Sequence, residues 1–173
     1  YYSSSSAGLK IADNMLISDN GSTHRAFLDG VTVGGFHAEL AVKICKEGTL
    51  RIGMAFRVQE IAKDAKTLGT NDMEGYAAVL YKTPGNTGDH ARVVICVYKY
   101  GKIDGKYTYL GTVGSKASTV PLTGYSDNVA DAAGQELVLS VNVTGSELTA
   151  CYYNRNNPSL ISETMVVDLK NAT

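Results

Sequence analysis

The sequence has no tryptophan, only three prolines and no apolar run approaching the ~18 residues that a membrane-spanning helix needs. It also lacks an excess of positive charge. Sixteen Lys and Arg face 17 Asp and Glu, for a net charge of -1, which argues against a general nucleic-acid binder. The three histidines, His24, His37 and His90, cluster neither with one another nor with a cysteine, and no two cysteines have the spacing of zinc ligands. There is no G-x-S-x-G elbow, no H-E-x-x-H and no phosphate loop. The opening YYSSSS has no basic-then-apolar layout, so it is not read as a signal peptide, although a module cut from a secreted protein would lack one too. The sequons at Asn20, Asn142 and Asn171 matter only in a eukaryotic secretory pathway.

What is present is the composition of a globular domain. Hydrophobic residues make up 44% and charged residues 19%, which excludes intrinsic disorder. A chain of 173 residues suits one domain, 1–173, and buries about 70% of its unfolded surface without a metal or disulfide staple. The aromatic content is almost wholly phenolic, with 11 Tyr against 3 Phe. Tyrosine combines a flat apolar ring with a polar tip, as wet binding surfaces favour. Cys45, Cys96 and Cys151 each sit in an apolar, strand-like run. They read as three buried free thiols, or as one disulfide and one free thiol if the chain is secreted.

Along the chain, strand follows strand. LKIADNMLIS reads as two short strands around Asp13-Asn14, and Asp19-Asn20-Gly21 as a hairpin turn. In GGFHAELAVKICK, Phe36, Ala38, Leu40, Val42 and Ile44 alternate with more polar neighbours, the period of a half-buried strand. TLRIGMAFRVQE, EGYAAVLYK, ARVVICVYKY, KYTYLGT, ELVLSVNVT, ELTACYYN and ETMVVDL continue the series. Asp104-Gly105, Thr144-Gly145-Ser146 and the Pro/Gly/Asn segment at 83–89 punctuate it. Residues 59–68 (QEIAKDAKTL) break the rhythm with near-helical spacing and predict one short helical insert. Residues 116–133 form a long connection of the kind that often carries function. Ten or eleven strands in one domain predict an all-β, two-sheet antiparallel sandwich, and their length favours a jelly roll.

The strand order resembles a concanavalin A-like group, the accessory modules of bacterial fructan-degrading levanases and inulinases (carbohydrate-binding module family 66). The resemblance spans about residues 16–169 and rests on Phe36, Glu39 and Val42; on Gly53, Phe56 and Arg57; on Glu74, Gly75 and Tyr76; and on Leu139, Val141, Val143, Gly145, Leu148 and the run from Cys151 to Tyr153. The insert between Arg57 and Glu74 is longer than the group's, and the chain stops at Asn171-Ala172-Thr173 before the group's closing strand pattern. The resemblance implies a secreted or cell-surface, non-catalytic module that holds a catalytic domain of the same polypeptide near a polysaccharide or oligosaccharide. It also implies that Arg57 lies on a sugar-binding face.

The residues themselves leave choices open. Arg57 offers a planar fork of donors for hydroxyls or a carboxylate, or it pairs with Glu39 or Glu74 for structure. Glu74 at a strand mouth accepts paired hydroxyls, or is a plain loop acid, and Gly75 lets backbone come close. Tyr76, next to them, is a ligand candidate or a core Tyr, and Tyr98, Tyr100, Tyr107 and Tyr109 form a stacking platform for sugar C–H faces, or pack across strands. Tyr153, Asn154 and Arg155 serve a ligand at the rim, or make a turn before Pro158. Asp127, Asn128 and Asp131 offer oxygen ligands for a structural calcium, in a spacing that matches no EF-hand. A sandwich glycosidase would need two close carboxylates on one strand face. The pattern E-x-D-x-x-E does not occur, so no enzyme is expected, and Glu60/Asp64 and Asp72/Glu74 come nearest. Two rival readings remain: a laminin-G-like adhesion or protein-interaction domain, and a small glycoside hydrolase or lyase.

Overall fold

The computed structural model describes residues 2–3, 9–12, 15–18, 26–27, 34–43, 50–61, 73–82, 93–117 and 136–171. The strands in chain order are β1 (Tyr2–Ser3), β2 (Leu9–Ala12), β3 (Met15–Ser18), β4 (Ala26–Phe27), β5 (Phe36–Lys43), β6 (Leu50–Ile61) and β7 (Met73–Lys82). They continue as β8 (Val93–Ile103), β9 (Lys106–Ala117), β10 (Glu136–Thr144), β11 (Glu147–Asn154), β12 (Asn157–Ile161) and β13 (Met165–Asp168). One antiparallel sheet has the order β6-β7-β8-β9. A second has the order β12-β11-β10-β5, with β13 also pairing β11. Two short ladders, β1 with β4 and β2 with β3, stand apart from both sheets.

Alternation decides which side of each strand is buried. In β10, Leu137, Leu139, Val141 and Val143 face inward, and in β11 so do Leu148, Ala150 and Tyr152. They meet Phe56, Ala78, Leu80, Val93, Ile95 and Val97 from the first sheet in one shared core, which Met165, Val167 and Leu169 complete. Two sheets that each hide one apolar face against the other make a β-sandwich. Beside β13 the layers close tightly. A β-carbon on Gly114 of β9 would collide with the Val167 side chain, so only glycine leaves Val167 its place. At the rim Lys116 pairs with Glu163 at 2.5 Å. The hydrogen bond and the charge of Lys116 both lower the Glu163 carboxyl below its ordinary 4.5.

The helical insert expected at 59–68 is corrected in its first residues. Gln59–Ile61 belong to β6, and there is no helix among the described residues. The charged spacing that mimicked a helical period is overridden by pairing with β7, since Glu60 faces Glu74 and Ile61 faces Met73. Residues 62–68 lie outside the described residues. Three strands were missing from the expectation, the two-residue β1 and β4 and the longer β12. β12, NPSLI, contains Pro158 and was read as a turn, yet it forms the sheet's outermost strand, where a missing N–H costs no ladder bond.

Candidate functional site

The candidate residues fall into three places. The first is a bulge in β6. Phe56 faces Tyr76 and Glu60 faces Glu74, so Arg57, Val58 and Gln59 fit against Gly75 alone. The surplus backbone turns at Arg57, whose φ is 49°. It then folds over Gly75, where an added β-carbon would lie 2.9 Å from the Arg57 carbonyl oxygen and 3.0 Å from Val58 Cα. Gly75 also has φ 153°, a backbone that side chains disfavour. The backbone that needs this glycine is therefore the neighbouring strand. From the bulge, Arg57 Nη2 donates to the carbonyl of Gly145, at the tip of the β10–β11 hairpin in the other sheet. Arg57 meets neither Glu39 nor Glu74 in an ion pair.

Tyr76 turns inward and is half-buried. Its ring stacks on Phe56 with centroids 5.7 Å apart and planes at 17°, while Phe36 meets Phe56 edge-on at 5.8 Å. Its hydroxyl donates to the Leu169 carbonyl at 3.4 Å, again across the sandwich. Arg57 and Tyr76 thus tie the two sheets together. Register also sets acids opposite one another at Glu60 and Glu74, and at Glu147 and Asp168. Sequence spacing does not show these pairs, because they depend on the bulge and on which strand neighbours which.

The second place is the outer face of the first sheet. Tyr98, Tyr100 and Tyr109 meet there edge-to-face, with centroids 5.7 to 6.5 Å apart. The register of the Asp104-Gly105 hairpin sets Tyr100 opposite Tyr109, and one bulge in β9, at Leu110, then gives Tyr98 the partner Thr112 rather than Gly111; a second, at Val113, lies beyond the tyrosines. The Tyr109 hydroxyl and Thr112 Oγ1 share a 2.6 Å hydrogen bond. Next to Tyr98 the sheet is low: Tyr98 borders Ala77, which borders Ala55, while Tyr100 borders Gly75 under the bulge. A wall of phenols thus stands beside a shelf of small residues. Tyr107, opposite Lys102, extends the same face toward the hairpin tip, with Lys102 Nζ 4.7 Å from its ring centroid.

The third place is the second sheet. Tyr153 faces outward, and its phenol is raised above its ordinary 10.0, first by desolvation and then by the hydrogen bond and charge of Glu39. Cys151, on the same face, is raised above 9.0 by burial and by Glu39. His37 lies 3.7 Å from Glu39. Asn154 is buried, and its Oδ1 accepts from the backbone N–H of Asn156 at 2.8 Å and of Asn157 at 3.3 Å, which makes it a turn former. Arg155 pairs with Glu136 at 3.3 Å. Cys96 and Cys151 are both free thiols, one in each sheet.

The fold thus brings Tyr98 and Tyr100 together with Tyr107 and Tyr109. It sets Arg57, Glu74 and Tyr76 at the bulge, and Tyr153, Asn154 and Arg155 on the other sheet. Asp127, Asn128 and Asp131 lie outside the described residues, as does Cys45. Among the described residues no group of three His, Cys, Asp or Glu is placed to hold a metal, and no helix is long and apolar enough to cross a membrane. Comparison with protein-family models, with curated proteins and with solved structures finds no match to this chain.

Proposed function

We propose that this chain is a non-catalytic carbohydrate-binding module and that the tyrosine face of β8 and β9 is where it meets the sugar. One observation supports the reading most: Tyr98, Tyr100 and Tyr109 cluster on an outward face beside the small residues Ala77 and Ala55. A pyranose or furanose ring has apolar C–H faces that lie against aromatic rings, while its hydroxyls need partners at the edge. Phenol hydroxyls and Thr112 supply these, and the small residues leave room for a ring. On this reading the sandwich is a jelly roll of the concanavalin A-like kind. The module is extracellular and keeps an attached catalytic domain close to a polysaccharide, where tethering makes modest affinity sufficient. Fructans are the first ligands to try, from the resemblance to levanase modules.

The test is binding of the chain to a panel of levan, inulin, xylan, β-glucans and pectins, with Tyr98→Ala and Tyr109→Ala alongside and folding followed by circular dichroism. Binding that weakens in folded variants supports the reading. A folded chain that retains no glycan would sink it and favour a protein-interaction domain. Release of reducing ends would overturn the non-catalytic part.

A further inference from the structure

The two sheets end in edges of different kinds. A strand at an edge offers unpaired backbone groups to any other strand, and proteins blunt such edges with bulges, proline or shortness. β6 carries the bulge at Arg57, β9 carries bulges at Leu110 and Val113, β12 contains Pro158, and β13 is four residues long. β5 has none of these devices. Its eight residues, FHAELAVK, pair with β10 in unbroken register from Phe36 to Lys43, without glycine or proline. Among the described residues its other side has no neighbouring strand.

The core is thin along this edge. In β10, Leu139, Val141 and Val143 are almost fully buried. Their β5 partners Leu40, Ala38 and Phe36 are only half-buried, as are Ile52 and Met54 in β6 of the other sheet. The outer face of β5 carries the charge: His37, Glu39, Ala41 and Lys43 are all exposed.

We infer that β5 is the docking edge for a second copy of this chain, joined strand to strand, antiparallel, about a two-fold axis at Ala41. The inference goes beyond the carbohydrate reading and stands without it. Register decides the centre, because outer residues must meet outer residues. Centred on Glu39, the pairing sets Glu39 against itself; on Leu40, it sets His37 against Lys43; on Ala38, it gives Glu39 only the imidazole of His37. Centred on Ala41, Glu39 meets Lys43 twice, and Leu40 meets Val42 twice on the inner side. Opposite charges set directly across strands stabilise the pair. Lys43 also faces Glu136 of its own sheet, and the three N–H donors of an ammonium serve both carboxylates. Ala41, on the axis, is small enough to meet itself. The axis stands normal to the sheet, so the tyrosine faces of both copies point the same way.

Sedimentation of the full chain tests it. The contact is narrow, so the mass should rise from 18.4 kDa toward twice that value between about 1 µM and about 0.5 mM. E39K sets Lys against Lys, and K43E sets Glu against Glu, so each alone should weaken the dimer roughly tenfold. An equal mixture of the two has complementary charges at both positions and should dimerise again. A41C places two thiols across the axis at the spacing a disulfide spans, so in a glutathione buffer it should give a covalent dimer that the parent does not. Circular dichroism follows the folding of each variant. A folded parent that stays monomeric near about 0.5 mM overturns the proposal. So does a dimer indifferent to E39K and K43E, a mixture that does not recover, or an A41C chain that forms no more covalent dimer than the parent.

Discussion

Arg57 donates from its guanidinium to the backbone carbonyl of Gly145, and so fastens a bulge in one sheet to a hairpin turn in the other. Arg57 adopts φ 49° to do so, a backbone that costs a side-chain-bearing residue about 1 kcal/mol or more. Arg57→Ala loses the bond and keeps the backbone cost, and should lower stability by about 1 kcal/mol. Arg57→Gly loses the bond but relieves the backbone, so it should lie about 1 kcal/mol above the alanine variant in urea unfolding. Equal stability of the two variants would contradict the strained bulge. Glycan binding at the tyrosine face should survive in both.

Gly75 is the counterpart on the neighbouring strand. In Gly75→Ala the new carbon meets Arg57 and Val58 backbone, which cannot swing aside as a side-chain tip would. The variant should lose more than about 1 kcal/mol, because alanine is also disfavoured at φ 153°. A denaturation midpoint equal to that of the parent would show that the bulge does not press on this strand.

Glu147 faces Asp168 across β11 and β13, both exposed. Like charges set directly opposite weaken a sheet, and opposite charges strengthen it. Glu147→Lys should therefore raise stability by about 0.5 kcal/mol at low salt, and the gain should shrink as salt screens the pair. A loss of stability at low salt would argue against this register.

Burial first, and Glu39 after it, raise Tyr153 and Cys151, both of which the fold holds protonated beyond their ordinary values. A group whose pKa is higher in the folded state binds its proton better there. Its stabilisation is complete below the ordinary values of 9.0 and 10.0 and is lost as pH climbs through the raised ones. Glu39→Gln removes the carboxylate that raises both groups, so both should titrate at lower pH. Ultraviolet titration of the phenols and the rate of thiol alkylation against pH would read this. Unchanged curves would mean that Glu39 does not act on them.

Much of the architecture was legible because alternation is a local property. Phe36, Leu40 and Val42 declared their side of the strand by spacing alone, and Asp104-Gly105 and Thr144-Gly145-Ser146 announced their turns. The sites were less legible. Gly75 was recognised as a point of close backbone approach, but the approaching backbone proved to be Arg57 and Val58. The tyrosines of the hairpin were named as candidates; the turn that sets Tyr100 opposite Tyr109 was legible, but the pairing of Tyr98 with Thr112 required a bulge at Leu110 that composition does not reveal.

By itself, then, the sequence determined a β-rich chain, the buried side of most of its long strands and the supply of phenols. Period-two patterning needs only neighbours along the chain. The tertiary structure alone decided that Arg57 and Tyr76 clamp the sheets, that Pro158 lies in an edge strand and that a wall of tyrosines stands over Ala55 and Ala77. Those outcomes depend on strand order, register and bulges. One extra residue in a strand changes every partner beyond it, and such a shift leaves the local pattern almost unaltered.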